Sequence, residues 1–252
     1  MSQHNINQVP STMEGKPVPS VVFRVRENDE WKNISSDDLF KGKTVVVFSL
    51  PGAFTPTCSS AHLPRYNELA STFAANGVDN IVCMSVNDTF VMNAWKQDQE
   101  ADNITVIPDG NGEFTAGMGM LGGKEELGFG KRSWRYSMLV KDGVVRKMFV
   151  EPDVPGDPFE VSDADTMLEF INPQARKPSS VAMLSKPGCP YCVRAKALLK
   201  EKGIAFEEIV LGKDATSVSV KAISGRATVP QVFFDGKLIG GSEELAEFLA
   251  DA

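Results

Sequence analysis

Pro51-Gly52-Ala53-Phe54-Thr55-Pro56-Thr57-Cys58 lies between two segments of different character. Before it runs Thr44-Val45-Val46-Val47-Phe48-Ser49, an apolar β-branched stretch that reads as a buried strand. After it, Ser59 to Ala75 places Leu63, Tyr66, Leu69 and Phe73 on one face of a helix. Cys58 is thus expected where a strand and a short loop feed into a helix N-terminus. Unpaired backbone N–H groups and the positive end of the helix dipole favour an anion there, which sets a cysteine up to react as its thiolate. Thr55, three residues earlier, can bring a hydroxyl beside the sulfur or beside a bound oxygen atom.

The spacing Pro51, Thr55, Cys58 is similar to the P-x-x-x-T-x-x-C motif of peroxiredoxins, and the fuller run resembles the peroxiredoxin-5 subfamily. The resemblance extends from about Gly15 to Asn172, through Cys83-Met84-Ser85-Val86-Asn87-Asp88 and Arg132-Ser133-Trp134-Arg135-Tyr136-Ser137-Met138. It implies a thioredoxin-like fold and places the active-site arginine at Arg135 rather than Arg132. Such a cation would stabilise the thiolate and the charge moving onto the leaving oxygen.

A chain of 252 residues suggests one or two domains with cores large enough to need no staples. The formal charge of −7 makes nucleic acid an unexpected partner. From Ser180 onward the basic and acidic residues balance, so the negative excess belongs to the first part and supports two domains. No apolar run reaches the roughly 20 residues of a membrane span, and the start lacks the basic and apolar stretches of a signal peptide. Four cysteines in this length do not make a disulfide framework; their placement reads as catalytic, in a reducing compartment, and the cytoplasm is expected.

Residues 1–19, with Pro10, Pro17 and Pro19, read as an extended arm. Strands are expected at Val21–Val25, Thr44–Ser49, Asn80–Val86, Ile104–Ile107, Trp134–Val140 and Val144–Val150. Helices are expected at Ser59–Ala75, kinked by Pro64, at Phe90–Gln97 and at Asp163–Ile171. Residues 1–172 thus form one domain. Asn172-Pro173-Gln174-Ala175-Arg176-Lys177-Pro178-Ser179 has two prolines and no evident apolar anchor, so residues 173–179 read as a linker. Residues 180–252 form a second, smaller unit of the same style. The expected class is α/β, two thioredoxin-like domains with mixed sheets flanked by helices.

The second unit carries Ser185-Lys186-Pro187-Gly188-Cys189-Pro190-Tyr191-Cys192, a C-x-x-C after a strand and at a helix start, which is the setting of a thioredoxin-like redox motif. Cys189 meets the helix dipole near Lys186 and is the expected nucleophile. Pro190 suits the first helical turn. Cys192 lies one turn further in and suits the resolution of a mixed disulfide. Half a zinc site is the competing reading, but zinc wants four ligands, and Cys58, Cys83, His4 and His62 are not locally spaced; no metal is expected. The motif resembles dithiol glutaredoxins, and the match continues through Thr228-Val229-Pro230 and Gly240-Gly241-Ser242-Glu243. It implies a cis Pro230, a Val229 backbone that pairs with glutathione like an added strand, and backbone N–H groups at Gly241, Ser242 and Glu243 for the γ-glutamyl carboxylate. Lys186, Tyr191 and Thr228 would complete that site, and Glu243 would face the γ-glutamyl amine.

Other signals carry less. Gly117-Met118-Gly119-Met120-Leu121-Gly122 fits G-x-G-x-x-G but follows no strand, so a dinucleotide site is rejected, and the two methionines read as packing. Cys83 reads as core. His62, one turn past Cys58, reads as surface or packing rather than a relay. Together the two resemblances imply a glutathione-dependent thiol peroxidase. Cys58 would attack a hydroperoxide and be regenerated through glutathione and Cys189/Cys192, with no bound cofactor, glutathione as reducing co-substrate and glutathione reductase upstream. A homo-oligomer, dimer or tetramer, is expected. A peroxide sensor and a glutathione-ligated iron–sulfur carrier are the alternatives.

Overall fold

The computed structural model describes residues 12–154 and 156–251. Residues 1–11 of the expected arm lie outside the described residues. The following stretch is tied down rather than free: Gly15 N–H donates to Val145 O, Val18 N–H donates to Gly143 O, and Met13 and Val18 pack on the core. The chain divides between Lys177 and Pro178 into two units.

The first unit opens with a hairpin, β1 (Val22–Glu27) and β2 (Glu30–Ser35), then α1 (Ser36–Phe40) and β3 (Thr44–Ser49). After the Cys58 turn come α2 (Leu63–Glu68), α3 (Ala70–Ala75), β4 (Asn80–Ser85), α4 (Thr89–Asp98), β5 (Thr105–Pro108) and α5 (Glu113–Gly117). A small hairpin, β6 (Leu121–Gly123) with β7 (Lys131–Ser133), precedes β8 (Tyr136–Lys141), β9 (Val144–Val150) and α6 (Ala164–Ile171). The main sheet has the order β5-β4-β3-β8-β9, parallel across β3, β4 and β5 and antiparallel at β8 and β9. β3, buried from Val45 to Ser49, sits at its centre, which suits its apolar run.

Side chains alternate between the two faces of a strand, and each face here has its own core. Val46, Phe48 and Cys83 point toward Leu63, Tyr66, Phe73, Trp95, Met167 and Leu168. Val45, Val47, Val82 and Met84 point toward Phe23, Phe40, Phe114, Met118, Met120 and Tyr136. Cys83 and the two methionines are therefore core, and the glycine-rich run follows α5, not a strand.

Three readings change. The single helix of 59–75 is instead a wide turn, Cys58–His62, followed by α2 and α3. Leu63 N–H bonds back five residues to Cys58 O. Pro64 offers no N–H, and its ring would clash with the carbonyl four residues earlier in a regular helix, so the turn before it widens. The strands β2, β6 and β7, which are exposed or short, escaped the sequence reading. The linker begins later than 173. Ala175 packs on the first core, Asn172 Nδ2 donates to Asn76 Oδ1 at 2.8 Å, and Lys177 pairs with Asp165 at 2.7 Å.

The second unit comprises β10 (Val181–Ser185), α7 (Pro190–Glu201), β11 (Glu207–Val210), α8 (Ser217–Ser224), β12 (Gln231–Phe234), β13 (Lys237–Gly240) and α9 (Ser242–Asp251). Its sheet runs β11-β10-β12-β13, parallel at β10/β11 and otherwise antiparallel. Met183, Ala195, Leu199, Val232 and Leu245 form its core. Among the described residues no helix is long and apolar enough to cross a membrane.

Candidate active sites

The loop after β3 is fixed from below before it reaches Cys58. Asn87 Oδ1 accepts from Ala53 N–H at 3.1 Å and from Ser85 Oγ at 2.8 Å, and Ser85 lies at the end of β4. Phe54 has φ +61, a backbone region that side chains other than glycine's adopt at a cost and that recurs at functional loops. Thr55 Oγ1 donates to Gly52 O at 2.8 Å, which commits its proton and leaves its lone pairs to accept. Helical backbone begins at Pro56, so Cys58 lies in the first turn, as expected, and is buried.

Arg135, just before β8, brings a buried guanidinium to this sulfur. Its Nη1 stands 3.5 Å from Cys58 Sγ and 3.1 Å from His62 Nδ1. Its Nη2 donates to both oxygens of Asp157, at 2.5 and 2.6 Å, and the Phe159 ring lies 5.6 Å from the guanidinium carbon. Arg135 Nε is buried and has no hydrogen-bond partner among the described residues. Arg132 is spent elsewhere: Nη1 donates to Val86 O at 2.6 Å and Nε to Phe129 O at 2.9 Å. Pro51, Trp134, Arg135, Val154 and Asp157 line a small cavity on the Arg135 side of the site.

His62 is packed, as expected, against Phe48, Tyr66 and Phe159, and it is not on the surface; its contact with Arg135 is what the sequence does not predict. It is fully buried, and burial first, then the neighbouring Arg135 charge, pushes its pKa well below the usual value. It is therefore neutral. Because arginine only donates, Nδ1 accepts from Arg135, and Nε2 carries the proton given to Ser162 O at 3.2 Å. Ser162 is held in turn by the buried Glu151, which accepts from the N–H groups of Glu160, Val161 and Ser162 and from Ser162 Oγ. Three links thus run from Glu151 through Ser162 and His62 to Arg135. The position of His62 one turn past Cys58 was a visible signal. Asp157, Glu151 and Ser162 sit after β9 with no local pattern to mark them. Cys83 is buried, which pushes its thiol well above the ordinary range.

In the second unit Cys189 is the N-cap of α7. Cys192 N–H donates to its sulfur at 3.3 Å, and the sulfur lies 3.7 Å from Val229 O. Val229–Pro230 is cis. Burial opposes ionisation of Cys189. Hydrogen bonds from the Cys192 side chain and from the N–H groups of Cys192 and Tyr191, with the Lys186 charge, outweigh it and lower the pKa. Cys192 is pushed up to about 11 by burial and by Cys189. Lys186, Tyr191 and Glu243 are exposed, and Gln231 Nε2 holds Thr228 O at 2.9 Å. Gly241 N–H is not open to a ligand, because Glu244 Oε2 accepts it at 3.0 Å while Glu244 also pairs with Arg226. A side chain at the third helical position reaching back to the cap is the ordinary way to satisfy that donor.

A thiol held by a buried arginine in one unit, and a polarised C-x-x-C beside a cis-proline in the other, define a thiol peroxidase with a thiol–disulfide oxidoreductase domain. Residues 13–168 match the Redoxin family and residues 181–239 match the Glutaredoxin family. The chain is 66% identical over 240 residues to the hybrid peroxiredoxin hyPrx5 of Haemophilus influenzae, covering 95% of this chain and all of that one. It is 56% identical to the peroxiredoxin sll1621 of Synechocystis, over 63% of this chain and 91% of that one. The structure of reduced Prx3 from Vibrio vulnificus in complex with hydrogen peroxide matches with a TM-score of 0.59 and 42% identity, over 63% of this chain and 98% of that one. The chain belongs to the redoxin family, as a peroxiredoxin joined to a C-terminal glutaredoxin.

Proposed function

We propose that this peroxidase is glutathione-dependent and that Cys58 is its peroxidatic residue. The observation that carries the reading is the buried Arg135 guanidinium 3.5 Å from Cys58 Sγ. The Cys58 thiolate attacks the terminal oxygen of a neutral hydroperoxide. The O–O bond breaks, Cys58 becomes a sulfenic acid, and the alkoxide or hydroxide leaves and takes a proton. Arg135 serves both ends of this charge shift: Nη1 faces the sulfur, and Nε–H, which has no partner among the described residues, donates to an oxygen. Thr55 Oγ1 accepts from the hydroperoxide O–H.

Glutathione then condenses with the sulfenic acid, releasing water and leaving a mixed disulfide. Cys189 attacks the glutathionyl sulfur, frees the Cys58 thiolate and takes the glutathionyl group. A second glutathione, or Cys192, releases the product. Val229, the Ser242 and Glu243 N–H groups, Lys186 and Tyr191 hold the glutathione, with the Gly241 donor withdrawn from that role. Glutathione reductase restores the pool, which places the protein in a glutathione-containing cytoplasm. The exposed apolar Phe54, Leu127 and Val154 support a homo-oligomer.

Mass spectrometry of peroxide-treated protein tests the chemistry. With Cys189→Ser and Cys192→Ser combined, glutathione is expected to accumulate as a mixed disulfide on Cys58. A dimedone adduct that persists at Cys58 in excess glutathione would count against glutathione as the reductant.

A further inference from the structure

The Arg135–Asp157 pair is not needed to recognise a peroxidase, yet it shapes the site. Asp157 takes Nη2 with both carboxylate oxygens, while Nη1 goes to Cys58 and His62. The guanidinium is thereby held at both terminal nitrogens and cannot swing its Nη1 away from the sulfur. The pairing also changes the electrostatics of the cavity beside Arg135. Arg135 is buried, whereas the Asp157 side chain is 43% exposed. A molecule that comes to the guanidinium from the Asp157 side meets the carboxylate first, in front of a cation already neutralised by it. Lys124, Glu151 and Asp153 line the same cavity as Arg135 and Asp157. Glu151 is spent on backbone N–H groups, and Lys124 sits over the Trp134 ring at 5.7 Å.

We infer that Asp157 is a positioning and specificity residue: it fixes Arg135 against Cys58, and it makes the enzyme discriminate against hydroperoxides that carry a negative charge near the O–O bond. Neutral hydroperoxides pass the carboxylate without penalty and reach a guanidinium whose remaining donors are aimed. An anionic one is repelled at this carboxylate and finds no net cation to offset this. The inference rests on Cys58 being the peroxidatic sulfur.

The test is single-turnover oxidation of the reduced full-length protein, followed by tryptophan fluorescence and needing no glutathione. The probes are cumene hydroperoxide, its para-carboxylate, and the methyl ester of that carboxylate. Wild type should prefer the ester to the carboxylate. Asp157→Asn should slow the ester about tenfold, through the lost anchor. It should also narrow the ester-over-carboxylate preference about fivefold, as expected for removing one partly screened charge. Asp157→Glu should keep the preference, because it keeps the charge. If Asp157→Asn melts early, Asp157→Ser supplies the same comparison. An unchanged preference, or an unchanged rate on the ester, in a folded neutral variant overturns the inference. Cys58→Ser must be silent with every probe; turnover there would instead overturn the reading of Cys58.

Discussion

His62 Nδ1 accepts from Arg135 Nη1 at 3.1 Å, and the same nitrogen of Arg135 reaches Cys58 Sγ at 3.5 Å. The histidine thus acts on the thiol only through the arginine, as a positioning residue. His62→Ala removes the acceptor that aims Nη1 and should slow the oxidation of Cys58 by about tenfold. Stopped-flow fluorescence with hydrogen peroxide measures this. His62→Gln, which can still accept and donate, should recover part of the rate. An alanine variant as fast as wild type would remove His62 from the site's machinery.

Burial of the same histidine makes stability depend on pH. Its folded pKa lies well below the usual value, so the unfolded chain takes up a proton that the folded chain refuses. Stability from this group is fully present above about pH 6.5 and falls as the pH drops below it, by up to about 1.4 kcal/mol per pH unit. Denaturant melts of the peroxidase unit between pH 7 and 5.5 should show a steeper loss in wild type than in His62→Gln. Equal slopes would mean that His62 titrates normally.

Glu151 serves three backbone N–H groups and one hydroxyl from a buried position, so its removal orphans several donors together. Glu151→Ala should cost about 3 kcal/mol of the first unit's stability. It should also slow Cys58 oxidation, because Ser162 O is the partner of His62 Nε2. Urea unfolding paired with the oxidation assay reads both effects. A stability loss with an unchanged rate would break the proposed chain from Glu151 to Arg135.

The thiols of the second unit should separate by reactivity. Cys189 has a lowered pKa and Cys192 one near 11, with Cys83 in the first unit pushed up and buried. Iodoacetamide at pH 6.5, followed by peptide mass spectrometry, should label Cys189 and leave Cys192 and Cys83 largely unmodified. Labelling of Cys192 before Cys189 would reverse the assigned roles.

Much of this was legible where the chemistry is local. Cys58 and the Cys189/Cys192 pair announce themselves because each follows an apolar strand and opens a helix, a pattern contained within about twenty residues. The central strand β3 reads clearly because it is an apolar run led by β-branched residues. What was not legible comes from tertiary convergence. Asp157 is 22 residues from Arg135, and Ser162 is 100 from His62. Neither carries a periodic or motif signal. The sequence predicts one helix after Cys58 because the apolar face continues through Phe73, and Pro64 changes the hydrogen bonding without changing that face. The tail to Lys177 looked like a linker because one alanine and one ion pair are enough to hold it.

The relay between the two thiol centres is tested most directly by NADPH consumption with hydrogen peroxide, glutathione and glutathione reductase, comparing wild type with Cys189→Ser. Sustained turnover in wild type and near-silence in Cys189→Ser is the expected result. Equal turnover in both would contradict the relay, because glutathione alone would then be regenerating Cys58.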